Sequence, residues 1–246
     1  MAAVDAQITA QARLRDAARR GVVQAWNSLG SYDEQDVSRW LALVVPFLLA
    51  VQRVSVTVTD AYVARALGRP PLGIDPLPVI DAVRGDTRIP DVYRRPFVTV
   101  WSELKIGKEY EEAVAIGLDR AEATIATDVQ LAHRGAMQAI QDADPTIFGY
   151  ARKADPGACP YCVLLDGAYV LRADALAMHP RCGCSLEPLT GPHPRAAHLP
   201  DGRSITELRA QDEPLAGVTV FDHGEYGPTL GDPEHDHLTE AEALAR

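Results

Sequence analysis

The chain of 246 residues is poor in lysine, cysteine, phenylalanine and methionine. It has three lysines (Lys105, Lys108 and Lys153) against 21 arginines, four cysteines, four phenylalanines and three methionines. It also lacks net positive charge. At a formal −10 it cannot coat nucleic acid wholesale, because that binding rests on neutralising phosphates. Residues 190–246 hold eleven acids and four arginines, so the acidity belongs mostly to the C-terminal end. The apolar run Leu41 to Val51 has eleven residues and contains Pro46. A bilayer span needs roughly 20, so no membrane association is expected. A basic-then-apolar leader is also missing, since Asp5, Gln7, Arg13 and Arg15 interrupt the N-terminus, and the expectation is a soluble chain made in a cytoplasm. No Gly-x-Ser-x-Gly string occurs. The serines are Ser28, Ser31, Ser38, Ser55, Ser102, Ser185 and Ser204, His133 is the only histidine before the cysteines, and no catalytic residue is assigned. What is present is ordinary globular composition, 47% hydrophobic and 24% charged.

Apolar periodicity predicts a helix over 3–28, with Val4, Ile8, Val22 and Trp26 on one face. Gly30 ends it, and Ser31 or Asp33 can cap a second helix over about 33–67. That helix is apolar nearly all round and is expected to be buried and kinked at Pro46. Val51–Thr59 could form a strand, but no turn signal separates it from Ala61–Leu67, so helix is preferred. Residues 68–96 carry six prolines and read as a wrap, with a short helix near Val79–Arg84. A short helical segment then spans Pro96–Leu104. The strongest helix runs from Lys108 to about Ala143, with Gly117 and Gly135 marking close helix approach. Thr146–Ala154 reads as a short strand. Beyond Thr190 there is little periodicity, so 191–246 is expected to be an irregular acidic tail rich in proline and glycine. Its His223, His235, Asp236 and His237 read as incidental. Arg13, Arg15, Arg19 and Arg20, and Arg94 and Arg95 near Lys105 and Lys108, are candidate basic patches. Trp26, Trp40 and Trp101 are expected in a core or an oligomer interface.

The information is concentrated in the cysteines. All four lie within 26 residues, as Cys159-Pro-Tyr-Cys162 and then His179-Pro-Arg-Cys182-Gly-Cys184. Zinc takes four tetrahedral sulfur or nitrogen ligands, and a Cys-x-x-Cys turn presents two thiolates from one loop. His179 and Cys182 repeat that spacing, which predicts a Cys₃His site with Cys184 spare. In the alternative, Cys184 binds and either Cys182 or His179 drops out. The local acids Asp166, Asp174 and Glu187 stand in no catalytic-zinc context, so the metal is read as a structural staple of a small β segment. Three other readings compete: disulfides, thiol redox chemistry (CPYC is also a glutaredoxin active-site string) and plain burial of small hydrophobes.

The run CPYC, then Leu165-Asp166-Gly167, then HPRCGC resembles the phage Mu F-type minor head proteins, whose signature is C-x-x-C, a short LDG turn and H-P-x-C-x-C. Gly183 departs from it, since many members carry arginine there. The helix ahead of the cysteines, with Arg120-Ala-Glu122-Ala-Thr124, resembles the family's preceding helix, so the resemblance covers roughly 105–190. It implies a structural minor capsid protein of a tailed bacteriophage, carried inside the virion at the portal vertex or capsid interior in several copies. Its partners would be the portal protein, the major capsid protein and, through packaging or ejection, DNA. A capsid maturation protease or a CPYC thiol-redox enzyme is the alternative. The expected fold is α+β: mainly long helices over 1–104, with a proline-rich wrap at 68–96, then a Mu F-like unit at 105–190 whose zinc-stapled segment is 146–190, then the tail.

Overall fold

The computed structural model describes residues 3–191, 196–211, 219–222, 225 and 227–231. Among these the protein is mixed α and β, mainly helix with a small three-stranded antiparallel sheet. Helix α1 spans Ala3–Asn27, α2 Glu34–Ala66, α3 Pro76–Asp81, α4 Ile89–Lys105 and α5 Tyr110–Ala143. Strand β1 (Ile147–Lys153) is followed by the one-turn α6 (Pro160–Leu164), β2 (Tyr169–Val170) and β3 (Ser185–Thr190). A separate hairpin pairs β4 (Thr219–Asp222) with β5 (Pro228–Gly231).

Local chemistry accounts for most boundaries. Asp33 caps α2, its carboxylate accepting from the amides of Gln35 and Asp36 at 2.9 and 3.0 Å, which satisfies donors that have no partner inside the helix. The Asp36 carboxylate in turn accepts the amides of Gly30, Ser31 and Tyr32 and so fixes the turn from α1. Helix α2 runs unbroken through Pro46. The residue four before it, Ala42, is exposed, so water can serve the carbonyl that a proline leaves without an amide. Helix α4 starts seven residues before the expected Pro96. Pro90 lies in its first turn, where a missing N–H costs nothing. The short helix near 79–84 begins three residues earlier than expected, at Pro76, because Asp75 caps it.

Two hydrophobic clusters share α5. The first half of α5 packs with the C-terminal half of α1, the start of α2 and α4 around Trp26, Trp40, Tyr32 and Phe97. Trp26 and Trp40 are fully buried and meet edge to face at 5.3 Å. The Trp40 indole donates to the Tyr93 carbonyl at 2.8 Å. Trp101 is partly buried, its indole donating to the Tyr32 carbonyl. Close approach is enforced by Gly117, where a β-carbon would lie 2.9 Å from the Pro96 carbonyl and 2.5 Å from Val100. The second half of α5 packs with Val4, Ile8, Val56 and Tyr62 on one side and the β segment on the other.

The sheet has the order β2-β1-β3, with Tyr150 opposite Val170 and Arg152 opposite Leu186. The region expected as an irregular tail contributes ordered pieces. Ala197 and Leu199 are fully buried against Ala151 and Leu189 of the sheet, and Thr190 pairs with His198. Leu230 of β5 is buried, its amide donating to the Met178 carbonyl at 2.8 Å. Sequence periodicity misses these pieces because each is too short to show one.

Helix α2 departs from the expectation of full burial. Among the described residues it is the one helix long and apolar enough to cross a membrane by length and composition, yet only 28% of its most apolar 18-residue stretch is buried. Its inner face, with Trp40, Val44, Leu48 and Val56, is core, while Leu43 and Val54 face outward.

A buried polar layer joins the elements where α1, α2, α5 and β3 meet. His133 is 1% exposed. Its Nδ1 lies 2.8 Å from Thr59 Oγ1 and 3.3 Å from Gln7 Nε2, and its Nε2 lies 3.3 Å from Ser185 Oγ. Burial holds its pKa down at about 3, against an ordinary 6.5. On acidification the unfolded chain therefore takes up this proton first. The stability it represents is complete above about pH 6.5 and is lost progressively as the pH falls toward 3. Denaturant unfolding should show a loss of about 2 kcal/mol from this group between pH 7.5 and 5. In His133→Gln that part of the pH dependence should be absent; equal slopes in the two proteins would contradict the assignment.

Candidate metal centre

The cysteine segment is positioned by hydrogen bonds that explain its spacing. After β1 the chain turns into the CPYC loop, where Cys159 caps α6, its Sγ accepting the Cys162 amide at 3.5 Å. The Leu165-Asp166-Gly167 turn then brings the chain back to pair as β2. Leu165 is buried at 1% exposure. The Asp166 carboxylate accepts the Ala154 amide at 2.8 Å and pairs with Lys153 at 3.4 Å. Gly167 adopts φ +77°, a left-handed conformation that favours glycine, and its amide donates to the Arg152 carbonyl at 2.9 Å. Each residue of the LDG triplet thus has a separate job in closing β1 against β2.

The second arm is a tight turn closed by the Cys182 amide on the His179 carbonyl at 3.0 Å, with Arg181 in the left-handed region at φ 65°. Helix α5 buttresses this arm. Thr127 accepts the Arg181 amide at 3.3 Å, the Arg181 guanidinium bonds Asp119, and Gln130 donates to the Cys184 carbonyl. His179 Nδ1 lies 2.8 Å from the Pro180 carbonyl. With the proton held there, Nε2 is left as the free donor atom.

That nitrogen lies 3.0 Å from Cys159 Sγ and 3.4 Å from Cys162 Sγ, and Cys162 Sγ lies 3.8 Å from Cys182 Sγ. Two sulfurs each about 2.3 Å from one tetrahedral ion sit about 3.8 Å apart. The donor atoms of Cys159, Cys162 and His179 all lie within 4.8 Å of one another, as do those of Cys162, Cys182 and Cys184. All five residues expected from the sequence are therefore brought together, in a cluster that can hold a metal ion, and all four cysteines are free thiols. Cys162, Cys182 and Cys184 are each 1% exposed. Hydrogen bonds from Cys162 and Cys184, with Arg152 and His179 adding to them, pull the Cys182 thiol well below its ordinary pKa.

Other sequence candidates fare differently. Ser185 and His133 are in contact, but both are 1% exposed and Thr59, not a carboxylate, holds the far side of the imidazole. A substrate has no access to that pair. The first basic patch is broken up. Arg15 is buried, 3.6 Å from Asp155 and 3.4 Å from Gln130, and Arg19 pairs with Glu122. In the second, Arg94 pairs with Glu34, Arg95 with Glu225 at 2.7 Å, and Lys108 with Glu103 and Glu112. His223, His235, Asp236 and His237 lie outside the described residues. Sequence pattern alone misses Arg15, Gln130, Arg152 and Gln211 around the cluster. Arg152 stands beside Lys153 at the end of β1, so no local signal sets it apart. Comparison with family models, curated proteins and solved structures finds no match to this chain.

Gly183, where the chain departs from the Mu F-like pattern, has no room for a side chain. A β-carbon there would overlap the Asp155 carboxylate and stand 2.8 Å from Arg15 Nη2. The Arg15–Asp155 pair fills the notch and ties α1 to the cysteine loop. Gly183→Ala should therefore cost about 1–3 kcal/mol in denaturant unfolding. Gly157→Ala, with open space around it, should cost much less. Equal effects would remove the notch argument.

Proposed function

We propose that this chain is a structural minor head protein of a tailed bacteriophage, built around a zinc ion held by Cys159, Cys162, His179 and Cys182. The observation that carries the reading is the convergence of Cys159, Cys162, His179, Cys182 and Cys184 on one centre, with the LDG turn closing β1 against β2 between the two arms. Thiolates together with one imidazole suit zinc better than harder ions. Four protein donors leave no coordination position for water or substrate, which is the arrangement of a structural site. Bound zinc would supply a cross-link between the two arms of a β segment too small to hold itself together. Cys182 is preferred over Cys184 because its amide closes the turn on the His179 carbonyl and its Sγ lies 3.8 Å from Cys162 Sγ. The portal or major capsid protein would be the partner, with the chain inside the virion in several copies and DNA in contact only through packaging or ejection.

Protein purified under reducing conditions without an affinity tag should carry one zinc per chain. Cys162→Ser and Cys182→Ser should lose it, together with protease protection of 146–190, while Cys184→Ser keeps both. Metal retained by Cys182→Ser and lost from Cys184→Ser would reverse the ligand choice. The phage role is tested by quantitative mass spectrometry of purified particles from a culture carrying the gene. The chain should be present at low copy number relative to the major capsid protein, and its absence from intact particles would overturn the assignment.

A further inference from the structure

Arg152 poses a problem of charge. It is 1% exposed, in the central strand of the sheet, and a guanidinium stays protonated at any ordinary pH. A buried charge without a counter-charge is costly. Yet no carboxylate pairs with Arg152 among the described residues. Its Nη2 donates to the carbonyl of Ala177 and to Gln211 Oε1 at 2.9 Å, and its Nη1 donates to Cys162 Sγ at 3.7 Å. All of these acceptors are neutral except one that can become a thiolate.

We infer that Arg152, oriented by Gln211, is the counter-ion and outer hydrogen-bond donor of the metal centre. This rests on the metal reading above. Three thiolates and one neutral imidazole around a divalent ion leave one negative charge in a buried site, and Arg152 supplies the matching positive one. Of the other arginines near the cysteines, Arg15 is engaged by Asp155, Arg181 by Asp119, and Arg134 donates to the Leu176 carbonyl. Gln211 holds the guanidinium in place. Its Oε1 also accepts the Ala177 amide at 3.3 Å, its Nε2 donates to the Ala175 carbonyl at 3.1 Å, and its own amide donates to the Tyr169 carbonyl at 3.0 Å. It thereby ties β2 and the 173–177 turn to Arg152. The centre consequently extends 27 residues past Cys184, into the stretch the sequence presents as tail. Arg152 and Gln211 are positioning residues, since neither is a ligand.

The test is metal affinity of the full-length chain, by chelator competition for zinc and by the thiolate-to-metal charge-transfer absorbance of the cobalt-substituted protein. Circular dichroism checks that each variant folds. Arg152→Met should keep a stoichiometry of one and lose affinity about 10–100-fold, with faster zinc release. Arg152→Lys, which keeps the charge but not the fork, should fall between that variant and wild type. Gln211→Leu should weaken binding in the same direction without touching a thiolate. Folded Arg152→Met and Gln211→Leu that bind zinc within about twofold of wild type would overturn the inference while leaving the metal reading intact. So would a loss in Arg152→Met that comes only with unfolding, if Gln211→Leu is unchanged. A wild-type chain that takes up no metal would overturn both.

Discussion

The structure depends on the docking of a small β segment onto the second half of α5. Three short strands cannot enclose a core of their own. This sheet buries Tyr150, Val170 and Leu186 together with Leu131, Met137 and Ile140 of the helix. The Tyr150 hydroxyl donates to the Met137 carbonyl at 2.6 Å, and the Tyr62 hydroxyl to that of Leu186 at 2.9 Å, so the sheet is held by direction as well as by apolar area. The first half of α5 anchors the aromatic cluster. One helix of 34 residues therefore transmits the order of the helical core to the cysteine loops.

The interior is unusually rich in charge for a chain whose basic side chains are nearly all arginine. Arg84 is 3% exposed and bonds Asp128, which also accepts the Tyr93 hydroxyl at 2.7 Å. Glu225 reaches Arg84 at 2.6 Å and Arg95 at 2.7 Å. Such buried pairs add little net stability, but losing one partner is expensive. Their effect is to fix position: Glu225 sets where the C-terminal hairpin lies, and Arg15 and Asp155 set where α1 meets the cysteine loop. Arginine suits this work because its planar fork can hold two partners at once.

The proposed metal centre draws on both features. Its donors are delivered by two tight turns, and those turns are held by Thr127 and Gln130 of α5 and by the arginines behind them. Charge balance and ligand geometry thus come from different parts of the chain. A segment of patterned cysteines is in this way continuous with the helical core.

Much was legible in the residues themselves. The two long helices α1 and α5, the helix over 34–66, the strand after Asp144 and the grouping of five side chains that could hold a metal ion all follow from local pattern. Helical period, caps and ligand spacing act over a few residues, and a linear reading captures them. The early start of α4 was hidden because prolines signal a wrap wherever they occur, although Pro90 in a first turn obstructs nothing. The outward apolar face of α2, the folding-back of 196–211 and 227–231, and the Arg15, Arg152 and Gln211 contacts were not legible. These contacts join residues far apart in the chain, and no short-range signal encodes which buried charge meets which thiol. The sequence by itself determined the helices and the chemistry available to the site. Only the tertiary structure decided which groups surround it, because burial and charge pairing are properties of neighbours in space.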